Sequence, residues 1–248
     1  MPLVMKLFII VLLFITVSPV YAGVIRVAVA SNFANTLKQI SASFEKETGH
    51  QVKLSIGSTG KHYAQIKNAA PFDIFFAADT HRPELLDKEG LAIAGSRFTY
   101  ARGKLILWSP DQNLVDTGGL VLNSKDFDYL AVANPKLAPY GKAAQQVLQK
   151  RGLWQSLRKR IVRGENIGQT FQFVKSGNAQ LGFVAASQVF KDGVIKNGSF
   201  WQIPDEDYSA INQQAVLLNN NEIAQAFVAY LRSDEMLKII RNSGYETP

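Results

Sequence analysis

From residue 24 onward, short apolar runs of strand length alternate with segments of helical period. Val24-Ile25-Arg26-Val27-Ala28-Val29-Ala30 is nearly continuous in apolar residues, as a strand buried on both faces requires. Phe33, Leu37, Ile40 and Phe44 then recur at steps of four, three and four, which is one face of a helix, and Gly49 supplies a stop. Val52-Lys53-Leu54-Ser55-Ile56 alternates as a half-buried strand. Tyr63 and Ile66 follow at helical spacing, and Phe72-Asp73-Ile74-Phe75-Phe76-Ala77-Ala78 is a third strand. This β-α-β-α-β order between Val24 and Ala78 argues for an open parallel sheet with helices on both faces.

The alternation resumes further on. Lys104–Trp108, Tyr129–Ala133, Leu181–Ala185 and Gln214–Leu218 read as strands. Helices are predicted after Tyr140-Gly141, near Trp154 to Arg160, after Asn166-Ile167-Gly168-Gln169, and twice in the tail. Two βα sets joined by strands near 100 and 212 predict an α/β chain of two lobes, each a mainly parallel sheet flanked by helices, with a cleft between. The expected division is residues 23–100 with 212–248, and residues 101–211. Ligands of such sheets sit beyond the carboxyl ends of the strands.

Those ends carry a recurring chemistry. Gly57-Ser58-Thr59-Gly60-Lys61 places two hydroxyls between two glycines where a strand hands over to a helix. The first amides of a helix have no partner within it, and its dipole is positive there. Glycine lets a ligand approach the backbone closely. The result is an anion cradle of neutral donors; the plain alternative is a turn with an N-cap. A nucleotide P-loop needs four residues between its glycines and Ser or Thr after the Lys; here two residues intervene and His62 follows Lys61. Ser31-Asn32, Tyr140-Gly141 and Asn166-Ile167-Gly168 open helices in the same way. Asp79 reads as a helix-capping carboxylate rather than a catalytic one.

Composition narrows the function classes. Of 248 residues, 47% are hydrophobic, enough for real cores, and the formal net charge is +7. The cations are scattered apart from Arg158-Lys159-Arg160, so nucleic acid is not an expected partner. There is no cysteine, which excludes disulfides, thiolate metal sites and a lipid anchor through an N-terminal cysteine. Lys6, the apolar run Leu7–Ile15 and Val20-Tyr21-Ala22 form a secretory signal over residues 1–22, cleaved near Ala22. Export without an anchor predicts a periplasmic location, and a monomer is expected.

With these segments in hand, the chain resembles the periplasmic molybdate-binding proteins of ABC importers over about residues 24–245. The carriers are Val29-Ala30-Ser31-Asn32-Phe33, Gly57-Ser58-Thr59-Gly60, Ala70-Pro71 through Ala78-Asp79, Gly95-Ser96-Arg97-Phe98-Thr99-Tyr100, Asn134-Pro135 through Tyr140-Gly141, Asn166-Ile167-Gly168-Gln169 and Leu181-Gly182-Phe183-Val184-Ala185. The resemblance implies a type II binding-protein fold that captures molybdate or tungstate, delivers it to a membrane permease, and uses no cofactor. It implies that Ser31 gives a hydroxyl and a backbone amide, with the Asn32 amide beside it. Thr59 matches the family's binding serine, with Ser58 in reserve. Tyr140 and Ile167 each donate a backbone amide. Some members place a ligating Tyr where this chain has Ala185, so that donor is missing here.

Three other readings remain at this stage. One is an importer protein for sulfate or phosphate. Another is a secreted hydrolase built on His50, His62 or His81, although no Gly-x-Ser-x-Gly elbow or His-Glu-x-x-His motif is present. There His62 is expected as an exposed first-turn residue. The third is a module for an anionic surface, which the scattered charge disfavours.

Overall fold

A computed structural model describes residues 22–191, 194–195 and 197–248. The expected export signal, apart from Ala22, lies outside the described residues. Among the described residues no helix is long and apolar enough to cross a membrane.

In chain order the elements are β1 (Val24–Ala30), α1 (Ala34–Thr48), β2 (Gln51–Gly57), α2 (Thr59–Lys67), β3 (Ile74–Phe76), α3 (His81–Lys88) and β4 (Phe98–Gly103). Next come β5 (Leu105–Ser109), β6 (Leu130–Ala133), α4 (Pro139–Lys150), α5 (Trp154–Leu157), β7 (Ile161–Gly164), α6 (Ile167–Lys175) and β8 (Leu181–Ala185). The hairpin β9 (Phe190–Lys191) and β10 (Val194–Ile195) precedes β11 (Ser199–Gln202), β12 (Ile211–Leu217), α7 (Glu222–Leu231) and α8 (Asp234–Asn242).

Two five-stranded sheets result, ordered β2-β1-β3-β12-β4 and β11-β5-β8-β6-β7. In the first, β2, β1 and β3 pair in parallel, and β12 runs antiparallel to both β3 and β4. In the second, β7, β6 and β8 pair in parallel, and β5 runs antiparallel to both β8 and β11. So one strand in each sheet opposes four that share a direction. Those two strands, β5 and β12, are the ones on which the chain passes between the lobes. The passage out falls just after Gly103, so residues 100 and 101 lie inside β4.

Each lobe has its own core. Ile25, Val27 and Val29 of β1 pack with Phe33, Leu37, Ile40 and Phe44 of the α1 side and with Phe227 and Leu231 of α7. Leu130 and Val132 of β6 pack with Ala144, Val147 and Leu148 of α4 and with Leu181 and Phe183. The expected helix face at residues 33, 37, 40 and 44 is thus buried, and Gly49 closes α1 in the left-handed region with φ 72°, its amide on the Glu45 carbonyl. The short edge strands β7 and β11 carry no clear period and were not legible in the sequence.

The starts of α1, α2, α4 and α6 all lie at carboxyl ends of parallel strands. α4 comes in very close. A Cβ on Gly141 would stand 2.3 Å from the Ala133 carbonyl oxygen and 2.7 Å from its carbon, backbone atoms that cannot swing aside. We therefore expect Gly141→Ala to destabilise the protein by about 1–3 kcal/mol, the range for overfilled sites. Urea unfolding with no ligand present measures it, and an unchanged midpoint would show that α4 can retreat freely.

Candidate functional site

Five strand-to-helix junctions meet around one small hollow. It is lined by Ala30, Ser31 and Asn32 at the end of β1, by Gly57, Ser58 and Thr59 at the end of β2, and by Ala78 between β3 and α3. The other lobe supplies Ala138, Pro139 and Tyr140 at the start of α4, and Asn166 and Ile167 at the start of α6. All six residues singled out in the sequence (Ser31, Asn32, Ser58, Thr59, Tyr140, Ile167) therefore line the same space. Its cavity volume is about 10 Å³, the room of about one water molecule and far below the range for drug-sized ligands.

The hydroxyls share one arrangement. Ser31 Oγ accepts from the Gly168 amide at 3.0 Å. Thr59 Oγ1 accepts from the Ala78 amide at 3.0 Å. Ser58 caps α2, its Oγ accepting from the Lys61 amide at 3.3 Å. An oxygen already engaged by an N–H keeps its own hydrogen for another acceptor. The three hydroxyls are thus set up as donors.

The backbone adds more. The amides of Asn32, Thr59, Tyr140 and Ile167 have no hydrogen-bond partner among the described residues. They are the orphan donors of helix starts, and they lie in a hollow whose walls are buried. One expectation needs correcting. The Ser31 amide is not free, because it donates to the Gly57 carbonyl at 2.9 Å as the β1–β2 ladder runs out. Ser31 offers only its hydroxyl. The Asn32 side chain also points away, its Nδ2 donating to Gln213 Oε1 at 2.7 Å and to the Tyr245 hydroxyl at 3.1 Å. That leaves Asn32 its backbone amide.

Among the described residues no Asp, Glu, Lys, Arg or His lines the hollow. Asp79, just beyond Ala78, accepts from the Arg82 amide at 3.0 Å and pairs with the Arg82 guanidinium, as a capping carboxylate should. The Tyr140 phenol is buried, which pushes its pKa well above the usual value and keeps it neutral.

The two lobes touch on either side of the hollow. Gly60 donates to the Leu137 carbonyl at 2.9 Å, Arg82 Nη2 to the Lys136 carbonyl at 3.0 Å, and Lys61 pairs with Glu165 at 3.1 Å. A Cβ on Gly60 would stand 3.1 Å from Leu137 Cα, and one on Gly168 would stand 3.0 Å from Ser31 Cβ. Bare backbone at both places lets the jaws close to hydrogen-bonding distance.

The histidines do not form a catalytic group. His50 Nδ1 accepts from the Gly23 amide at 3.1 Å, and His81 is exposed at the start of α3. His62 overturns its expectation: it is 2% exposed, not on the surface. Gly57 carries no side chain, so the ring tucks beneath the β1–β2 ends, with Nε2 3.2 Å from the Val29 carbonyl and Nδ1 3.0 Å from the Gln65 side chain. Ala185 is fully buried in β8 and does not reach the hollow. Among the described residues no cluster of His, Asp and Glu could hold a metal ion. The arrangement donates hydrogen bonds from many sides and accepts almost none, which is the chemistry of an anion site.

Comparison with known proteins gives the family. Residues 25–246 match the family described as bacterial extracellular solute-binding protein, and the chain belongs to it. It is 51% identical over 227 residues to the molybdate-binding protein ModA of Azotobacter vinelandii, covering 90% of each chain. It is 45% identical over 233 residues to that of Rhodobacter capsulatus, covering 92% of this chain and 90% of the other. The solved Azotobacter vinelandii periplasmic molybdate-binding protein superposes with a TM-score of 0.88 at 43% identity, over 90% of this chain and 99% of that one. The fold is that of the type II periplasmic binding proteins.

His62 gives the stability of the fold a pH dependence. Burial holds its pKa below the ordinary 6.5, against opposing hydrogen bonds from Gln65 and Val29. As pH falls through about 6.5 the unfolded chain takes up a proton that the folded chain refuses, so this contribution to stability declines until the folded pKa is passed. We expect the His62→Gln variant to lose that slope below about pH 6.5. Urea midpoints across the window measure it, and parallel pH profiles of the two proteins would contradict it.

Proposed function

We propose that this protein captures molybdate in the hollow between its lobes and delivers it to the membrane permease of an ABC importer. The observation that carries this reading is the set of three hydroxyls and four unpaired amides around one small space without a carboxylate. Molybdate offers four acceptor oxygens and, at neutral pH, no proton. A donor-only site matches it, whereas a protonated phosphate leaves its own O–H without an acceptor. Sulfate shares the charge and shape, so selection against it rests on size. Tungstate is nearly equal in size to molybdate and binds as well. The molybdate-binding relatives support the choice of ion.

The donors act as follows. Ser31, Thr59 and Ser58 direct O–H groups at the ion, Thr59 being the better placed because its oxygen is held by the shorter bond. Asn32 and Thr59 give amides from one jaw, Tyr140 and Ile167 from the other. On this reading the jaws divide close to the expected bounds, with the crossings just after Gly103 and just before Ile211 rather than at 100 and 212. The protein works as a periplasmic monomer after loss of its leader, and it binds and releases without turnover.

The test is thermal unfolding with molybdate, tungstate, sulfate and phosphate in turn. Saturation at about a hundredfold over Kd stabilises a folded binder by about 2.7 kcal/mol, or about 5–10 °C for a chain of this size. Molybdate and tungstate should give that rise, the others less. In calorimetry the Ser31→Ala, Thr59→Ala double variant should weaken molybdate by about two to four orders of magnitude, as two hydrogen bonds to a charged ligand are worth. A melting point indifferent to all four ions rejects the ligand class. Unchanged affinity in the double variant rejects the two hydroxyls.

A further inference from the structure

We infer that Gln213, which does not touch the hollow, positions the facing amides of the two jaws and thereby sets the size of tetrahedral ion the site prefers. This deepens the oxyanion reading above and rests on it. Gln213 is fully buried in β12, the strand that returns the chain from the second lobe to the first. The β12–β4 register shifts between Gln213 and Gln214, a bulge that redirects a side chain.

Its amide joins the jaws. Oε1 accepts from Asn32 Nδ2 at 2.7 Å, and the Tyr100 hydroxyl lies 3.0 Å from it. Nε2 donates to the Tyr140 hydroxyl at 3.3 Å. Asn32 lines the hollow from the first lobe and Tyr140 from the second. Tyr245 fixes Asn32 further, donating to its carbonyl at 2.8 Å and accepting from its Nδ2. Backbone space is kept clear for this junction: a Cβ on Gly103 would stand 2.0 Å from the Tyr140 hydroxyl oxygen and 2.6 Å from Gln213 Nε2.

The hub is neutral throughout, since burial pushes the phenols of Tyr100, Tyr140 and Tyr245 above their usual range. A neutral hub adds no charge to oppose a dianion. It also fixes the gap between Asn32 and Tyr140 with groups that the ion never meets, so an ion too small to span that gap loses contacts on one jaw.

A purely structural role would lower melting temperature and leave the preference among ions alone. The test is therefore calorimetric titration of the full-length folded protein with molybdate and with sulfate, for the wild type, Gln213→Leu, Tyr140→Phe and the double variant. Gln213→Leu should weaken molybdate about tenfold or more, the worth of a buried hydrogen bond with its partners left unpaired, and should narrow the molybdate-to-sulfate ratio. Tyr140→Phe should narrow it in the same direction. The double variant should be no worse than Gln213→Leu, because the two act through one bond. Folded variants with the wild-type ratio, or fully additive losses, would overturn the inference. If Gln213→Leu does not fold, Tyr140→Phe decides alone, and an unchanged ratio in it overturns the inference. A wild type that binds neither ion would instead bring down the oxyanion reading, and this inference with it.

Discussion

Taking a doubly charged ion out of water is affordable only if every oxygen finds a donor. An isolated ion in a medium of low dielectric constant carries a desolvation cost of tens of kcal/mol. Cations would offset it, but none lines the hollow. What replaces them is backbone: helix starts, each with unpaired amides and the positive end of a dipole equivalent to about half a charge. Amides belong to rigid elements, so they need no ordering when the ion arrives, whereas a flexible Lys or Arg would. The fold follows from that demand. Parallel βα units put helix starts at one edge of a sheet, and two such edges face each other across the cleft.

Closure and donor placement are then one problem. Gly168 both donates to Ser31 Oγ and has no side chain to hold the jaws apart. The same bond ties up the Ser31 oxygen, which leaves its hydrogen for the ion. Thr59 is oriented likewise by the Ala78 amide, and behind the hollow the Gln213 amide ties the first turn of α4 to the loop after β1. Peripheral contacts such as Lys61–Glu165 are half-exposed and worth little individually, so the buried neutral bonds carry the geometry.

Much of this was legible in the sequence because the signals are local. The steps at Phe33, Leu37, Ile40 and Phe44 mark α1, and Gly57-Ser58-Thr59-Gly60 marks a helix start. What escaped notice depends on neighbours distant in the chain. The Ser31 amide is taken by the Gly57 carbonyl through strand pairing, a register that no local pattern specifies. His62 looked like a surface residue by its place in the first turn, but the space left by Gly57 buries it. Gln213 and Tyr245 lie 181 and 213 residues from Asn32, and nothing near them in sequence points to a cleft. The edge strands β7 and β11 are four residues each, too short to show a period.

The central claim is that neutral groups alone hold the ion, and a crystal structure of the protein with molybdate tests it most directly. The account predicts one tetrahedral ion in the hollow, with oxygens within hydrogen-bond reach of the Ser31 and Thr59 hydroxyls and the Asn32, Tyr140 and Ile167 amides, and no Lys or Arg in contact. An ion seated against a lysine or arginine elsewhere, with the hollow left unoccupied at saturating molybdate, would contradict it.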